Sequence, residues 1–134
     1  MGGLPPFPAP TGAGPATPPA LVARGFALRA AMPTDLPALR RLHADTRADE
    51  MACVPWPAGL KQSFLDQQFD LQHRHYINHY ADADFLVLER AGEVVGRLYL
   101  QRRSPEHLVV DISLLGPLRG QGLGGALLAQ AQAD

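Results

Sequence analysis

Residues 114–128 read LLGPLRGQGLGGALL. An apolar run enters a cluster of glycines behind one arginine, Arg119, and leaves as a second apolar run. Glycine gives up more chain entropy on folding than alanine does, so Gly120, Gly122, Gly124 and Gly125 are costly unless bare backbone is needed there. A strand that ends in such a turn and starts a helix directs several N–H groups into one concavity, where the helix dipole adds about half a positive charge. The guest that fits is an anion, most often a phosphate or pyrophosphate.

The elements around this turn follow from periodicity. FALRAA (26–31) alternates and reads as a first strand. Thr34 is placed to cap a helix, with Asp35 in its positive first turn and Pro37 tolerated early. Leu36, Leu39 and Leu42 form the buried stripe of that helix, and Arg40, Arg41, Arg47 and Asp49 are expected to face water. The prolines of CVPWP (53–57) impose a loop. A second helix is expected over 60–80, with Leu65, Phe69, Tyr76 and Tyr80 on one face. FLVLER (85–90) and VVGRLYLQ (94–101) then form a hairpin about Ala91-Gly92-Glu93. LVVDISLL (108–115) is a fourth strand, apolar enough to be central, and a helix runs from about Gly122 to the end.

Composition narrows the partners. With 12 Lys+Arg against 13 Asp+Glu, the net charge of −1 argues against nucleic acid or an anionic membrane as the main partner. No apolar run reaches the length of a membrane span. The single cysteine, Cys53, excludes an internal disulfide and a multi-cysteine metal site, and the default is a cytoplasmic protein. Residues 1–25 are rich in proline and glycine without apolar periodicity, and are expected to be a disordered arm. An interaction tail and a start codon placed too early both fit that composition. One domain, 26–134, then follows.

Three nucleotide-type loops compete for the glycines. The Walker pattern needs a lysine and a hydroxyl residue after its last glycine, and Gly125 is followed by Ala126. Gly120-Gln121-Gly122-Leu123-Gly124-Gly125 fits G-x-G-x-x-G literally, but the residues up to Asp134 do not hold the second parallel strand and acidic residue of that fingerprint, and the hairpin before it is the wrong neighbour for a doubly wound parallel sheet. The third pattern fits. Arg119-Gly120-Gln121-Gly122-Leu123-Gly124 resembles the R-x-x-G-x-G/A signature of the GNAT superfamily, the acyl-CoA-dependent N-acetyltransferases. Val54-Pro55-Trp56, Gln67-Gln68-Phe69 and Ala83-Asp84-Phe85-Leu86-Val87 resemble stretches of its bacterial members. The proline of Gly116-Pro117-Leu118 stands one position away from its usual place in relatives.

The resemblance implies an α/β fold with a mixed, largely antiparallel central sheet flanked by helices. It also implies acetyl-CoA as cosubstrate and no metal. The backbone of Arg119, Gly120, Gln121, Gly122, Leu123 and Gly124 would bind the pyrophosphate. The backbone of Ile112, Ser113 and Leu114 would pair with the pantetheine arm. The reaction implied is acetyl transfer to a primary amine on a small molecule or peptide; a non-catalytic acyl-CoA-binding or interaction module is the rival. Family members continue with further strands and a helix that often supplies a tyrosine acid. The chain is accordingly expected to be incomplete at its C-terminal end, as a fragment, a truncated product, or a protomer of a homodimer.

Transfer to an amine needs a neutral nucleophile, and deprotonating a lysine-like amine near neutral pH costs about 4 to 5 kcal/mol. Asp111 is the candidate base, because a carboxylate in an apolar strand needs a task or a partner. A structural pairing with an arginine or a backbone amide explains it equally. Alternation puts it on the face of Ser113, opposite Ile112 and Leu114. Glu106 and His107 are weaker candidates. Of His73, His75 and His79, the last two stand one turn apart, but no third metal ligand is evident. Polar contacts along an acceptor cleft suit them better, and Trp56, Tyr76 and Tyr80 suit core packing. Cys53 is not needed as a nucleophile.

Overall fold

The computed structural model describes residues 4–8, 16–102 and 107–133. Four strands, β1 (Phe26–Ala30), β2 (Asp84–Arg90), β3 (Glu93–Gln101) and β4 (Leu108–Leu114), form an antiparallel sheet in the order β1-β2-β3-β4. Helix α1 (Pro19–Ala23) precedes β1; α2 (Leu36–Thr46), α3 (Ala48–Ala52) and α4 (Ala58–His79) lie between β1 and β2; α5 (Leu123–Ala133) follows the glycine turn.

Alternation along the strands sorts side chains into two cores. In β2, Leu86 and Leu88 join Leu21 of α1 and Leu123 and Leu127 of α5 on one face. Phe85 and Val87 join Leu39 and Leu42 of α2 and Phe69 of α4 on the other. Burial on both faces explains why β2 reads as a nearly unbroken apolar run. β4, expected to be central, is the sheet edge among the described residues, and it is half-buried along its whole length.

The helix start at residue 34 works differently from the expectation. Residues Pro33–Asp35 form a 3-10 turn, and Asp35 is the capping group. Its carboxylate accepts from Met32 N–H at 2.7 Å and from two Arg29 nitrogens at 2.8 Å each, and the Arg29 hydrogen bonds hold it below the usual carboxylate range. Arg29 also donates to Glu89 at 2.9 Å, so one guanidinium joins β1, the helix start and β2. Arg40 does not simply face water: it pairs with Asp70 at 2.6 Å over the Phe69 ring.

The expected disordered arm contains structure at both described ends. Residues 4–8 lie against the α4 face, where Leu4 and Phe7 join the core. Phe7 meets His73 edge-on at 5.0 Å between ring centroids, and His73 Nε2 donates to the Pro5 carbonyl at 2.7 Å. On the opposite face, α1 buries Leu21, and Leu28 N–H donates to Thr17 Oγ1 at 2.9 Å. Proline-rich composition hides both anchors, because each rests on one or two apolar side chains and not on a periodic stripe.

Two irregularities in register shape the site. The β3–β4 ladder shifts after Tyr99, which pairs with Asp111, while Leu100 pairs with Val109. Val110 is the extra residue, and such bulges re-aim the side chains beside them. Gly96 is the glycine needed for close approach: a Cβ there would lie 2.8 Å from Leu114 Cδ2 and 2.9 Å from Ser113 O.

Candidate functional site

The edge of β4 is the starting point. Leu115 N–H donates to Val95 O at 3.0 Å, so odd-numbered residues at this end of β4 turn their backbone toward β3. Antiparallel alternation then leaves the N–H groups of Ile112 and Leu114, and the Ile112 carbonyl, facing the open edge. Ser113 departs from the expected cofactor role, because its backbone faces β3. Its hydroxyl instead donates to Asp111 Oδ1 at 2.8 Å.

Beyond the strand the chain turns through Gly116–Leu118 into the glycines. Gly120 and Gly122 have φ of +79° and +77°, a backbone region that strains any residue with a Cβ. No atom lies within 4 Å of where a Cβ would stand on Gly120, Gly122, Gly124 or Gly125. Glycine kept for close packing would show the opposite, as Gly96 does. The first N–H groups of α5 have no partner within the helix, and Gly124 and Gly125 of that turn line a cleft.

Three side chains hold this turn in place. Asp45 Oδ2, at the end of α2, accepts from Gly116 N–H at 2.7 Å and from Arg119 Nη2 at 3.0 Å. Arg119 Nε donates to the Leu114 carbonyl at 3.0 Å, closing the strand exit. Gln121 turns away from the socket: its amide donates to Pro117 O at 2.7 Å and accepts from Arg24 at 2.6 Å.

A cleft of about 570 Å³ joins strand edge and turn. Ile112, Leu114, Gly124 and Gly125 form one side. His43 and Thr46 of α2, Arg47 just after it, Gln72 of α4 and Arg97 and Asp111 of the sheet line the cleft as well. Arg47, expected to face water, therefore lines the cleft.

Asp111 sits in this cleft as the centre of a buried network. Its Oδ2 accepts from Arg97 Nη2 and from Tyr76 O–H, each at 2.8 Å. The ion pair is enclosed, with side-chain exposures of 4% for Arg97 and 13% for Asp111. Arg97 also donates to Gln72 at 3.3 Å. Three donors take most of the roughly four acceptor positions of a carboxylate. Burial, reinforced by the bond to Asp111, pushes the Tyr76 phenol well above its usual range. Burial pushes the Tyr99 phenol up to about 12, against the lowering effect of Arg97.

The remaining candidates separate. His73 is a core residue, and His75 and His79 are exposed, with ring centroids 4.2 Å apart and His79 Nδ1 bonded to the His75 carbonyl. Trp56 stacks edge-on with Phe64 at the surface, and Tyr76 and Tyr80 are half-buried beside the α4 core. Cys53 is exposed, and Glu106 lies outside the described residues. Sequence reasoning missed His43 and Arg97. Arg97 carries the same signal as Asp111, a charge inside an apolar strand; His43, seven residues after Leu36, extends a stripe that should be apolar.

Fold and site define an α/β protein whose antiparallel sheet runs into a glycine-rich turn at a helix start. The sequence matches the profile of the acetyltransferase (GNAT) family over residues 39–134, and the chain belongs to that family. Solved structures with the same fold include the PaiA N-acetyltransferase from Thermoplasma acidophilum in complex with coenzyme A. It has a TM-score of 0.58 at 14% identity, over 81% of this chain and 70% of that one. The ribosomal-protein-S18-alanine N-acetyltransferase from Escherichia coli has a TM-score of 0.47 at 20% identity, over 78% of this chain and 55% of that one. A GNAT family acetyltransferase from Brucella melitensis in complex with acetyl-CoA has a TM-score of 0.45 at 21% identity, over 81% and 66%. The chain thus spans less than two thirds of the length of the latter two. No protein of curated function matches the sequence. Among the described residues no helix is long and apolar enough to cross a membrane.

Proposed function

We propose that this chain binds acetyl-CoA and transfers its acetyl group to a primary amine of a small molecule or peptide in the cytoplasm. The observation that carries this is the continuity of the open amides of Ile112 and Leu114 with a glycine turn that has empty space before every glycine. An arm bearing amides can add to the strand edge as a further strand would. The pyrophosphate that follows it can rest on the N–H groups from Gly120 to Gly124. The Thermoplasma relative, which shares the fold, is in complex with coenzyme A. Arg119 serves as a brace for the turn, since its guanidinium is spent on Asp45 and Leu114 O.

The engagement of Asp111 by three donors favours a second reading, a module that binds acyl-CoA without catalysis. One experiment separates the two: calorimetry with CoA and acetyl-CoA, together with thiol release over a panel of amino acids, polyamines and short peptides. Binding with turnover supports transfer, and binding without turnover supports the module. No heat with either ligand ends both.

A further inference from the structure

Acetyl transfer needs a proton acceptor beside the thioester, and the carboxylate first expected to serve is tied into a buried ion pair. We infer that His43 is the base of the reaction, its Nδ1 lone pair facing the cleft that Ile112 and Leu114 share. The assignment rests on the transfer reading.

The argument begins with cost. His43 is 2% exposed, on the helix stripe that carries Leu36 and Leu39, where an imidazole is unfavourable unless both nitrogens are accounted for. Its Nε2 lies 2.8 Å from Gln68 Oε1 on α4. An amide oxygen only accepts, so Nε2 carries the hydrogen and the neutral ring keeps its lone pair on Nδ1. That atom makes no hydrogen bond among the described residues, and it is not one of their enclosed, partnerless polar atoms. His43 lines the cleft, and the assignment places the small surface left to Nδ1 on that side. His73 supplies the contrast: its Nε2 is also bonded, to Pro5 O, but its Nδ1 is sealed in the core.

The surroundings keep His43 in the form a base requires. Burial lowers its proton affinity first, and Arg97 on β3 and Arg47 at the end of its helix lower it further. Asp111 on β4 and the bond to Gln68 act the other way without reversing the shift. From α4, Gln68 and the Phe69 ring are the uncharged neighbours. The imidazole is therefore neutral near pH 7. The acceptor enters as an ammonium ion and loses one proton to solvent. The amine nitrogen then bonds to the thioester carbonyl carbon, and its second proton passes to Nδ1. On collapse the C–S bond breaks with its electron pair on sulfur, and the imidazolium returns the proton to that thiolate. The products are the acetylated amine and free CoA thiol, with one proton released overall.

The test follows kcat and KM for the most reactive amine of the panel from about pH 4.5 to 8, which covers the range below 6.5 into which burial moves this imidazole. It compares the wild-type chain with His43→Gln and Asp111→Asn, alongside CoA affinity and melting temperature. His43→Gln is expected to lower kcat by about 100-fold or more. It should also erase the acid limb of the profile and leave CoA affinity within about twofold, a pattern a merely structural role does not give. Asp111→Asn should keep the acid limb while lowering the melting temperature. The assignment is overturned if His43→Gln keeps wild-type kcat and its acid limb, or if the limb disappears only in Asp111→Asn. A wild-type chain that binds CoA but acetylates no amine removes the transfer reading and the base with it, an outcome distinct from turnover that survives in His43→Gln. Should His43→Gln fail to fold, nitrogen-detected NMR of the wild-type protein decides: a protonated Nδ1, or one that does not respond to acetyl-CoA, overturns the assignment.

Discussion

Gly124→Leu separates a socket from a packing glycine, because the two predict opposite signs of stability change. Gly124 lies in the first turn of α5, lines the cleft, and has no atom within 4 Å of a Cβ built on it. The Cβ of leucine there meets no obstacle, and leucine gains helix propensity over glycine, about 0.5 to 1 kcal/mol for a position near a helix end. For a chain of this size that is a rise of about 2 to 4 °C in melting temperature. The same side chain, larger than the alanine that the R-x-x-G-x-G/A signature admits here, fills cleft space beside the first-turn amides, where a pyrophosphate would rest. An affinity loss of at least tenfold, about 1.4 kcal/mol, is the expectation for CoA. Differential scanning fluorimetry without ligand and calorimetry with CoA measure the two quantities on one sample. A more stable variant with unchanged CoA affinity would refute the socket, and a destabilised variant would refute the empty space. Gly122→Ala is the control: at φ +77° it should cost about 1 to 2 kcal/mol whatever binds.

Three other outcomes follow from the same geometry. Arg97→Ala leaves the Asp111 carboxylate buried without its countercharge and should cost about 3 to 5 kcal/mol in urea denaturation, while Arg97→Met with Asp111→Leu should cost far less than the two single changes summed. An additive loss would count against a closed ion pair. Phe7→Ala should cost about 2 kcal/mol, below the range for a fully buried phenylalanine because the ring is half-buried; no change in stability would show that residues 4–8 do not hold the core. His43 and His73 both have native pKa values lowered by burial, so the unfolded chain binds protons first on acidification. Their contribution is intact above about pH 6.5 and is lost as pH falls toward the native values, and a melting temperature that stays flat from pH 7 to 5 would contradict it.

How far the sequence could be read depended on whether a feature was local. The strands, the long helix and the hairpin at Ala91-Gly92 were legible because alternation and turn residues act over a few positions. The glycine turn was legible because strand, spaced glycines and helix are contiguous. The partners of that turn were not, since Asp45 reaches Gly116 and Arg119 across more than sixty residues of chain. Asp111 was recognised as anomalous, yet only the fold shows that Arg97, Tyr76 and Ser113 satisfy it. His43 was invisible as a functional residue because its partner Gln68 lies on another helix, and a histidine in a leucine stripe reads first as filler. Thr34 drew attention as a cap because hydroxyl residues favour helix starts; Asp35 took the role because Arg29 reaches it from β1.

The two ends of the N-terminal stretch sit on opposite sides of the sheet, Phe7 against α4 and Leu21 beside α5. Both, along with all of β1, precede residue 39, where the family profile begins to match. A recombinant product trimmed to the profile would strip an outer strand from the sheet and uncap both layers in a single cut. Any such product would report on a damaged molecule, and an affinity tag is better attached outside residues 1–134.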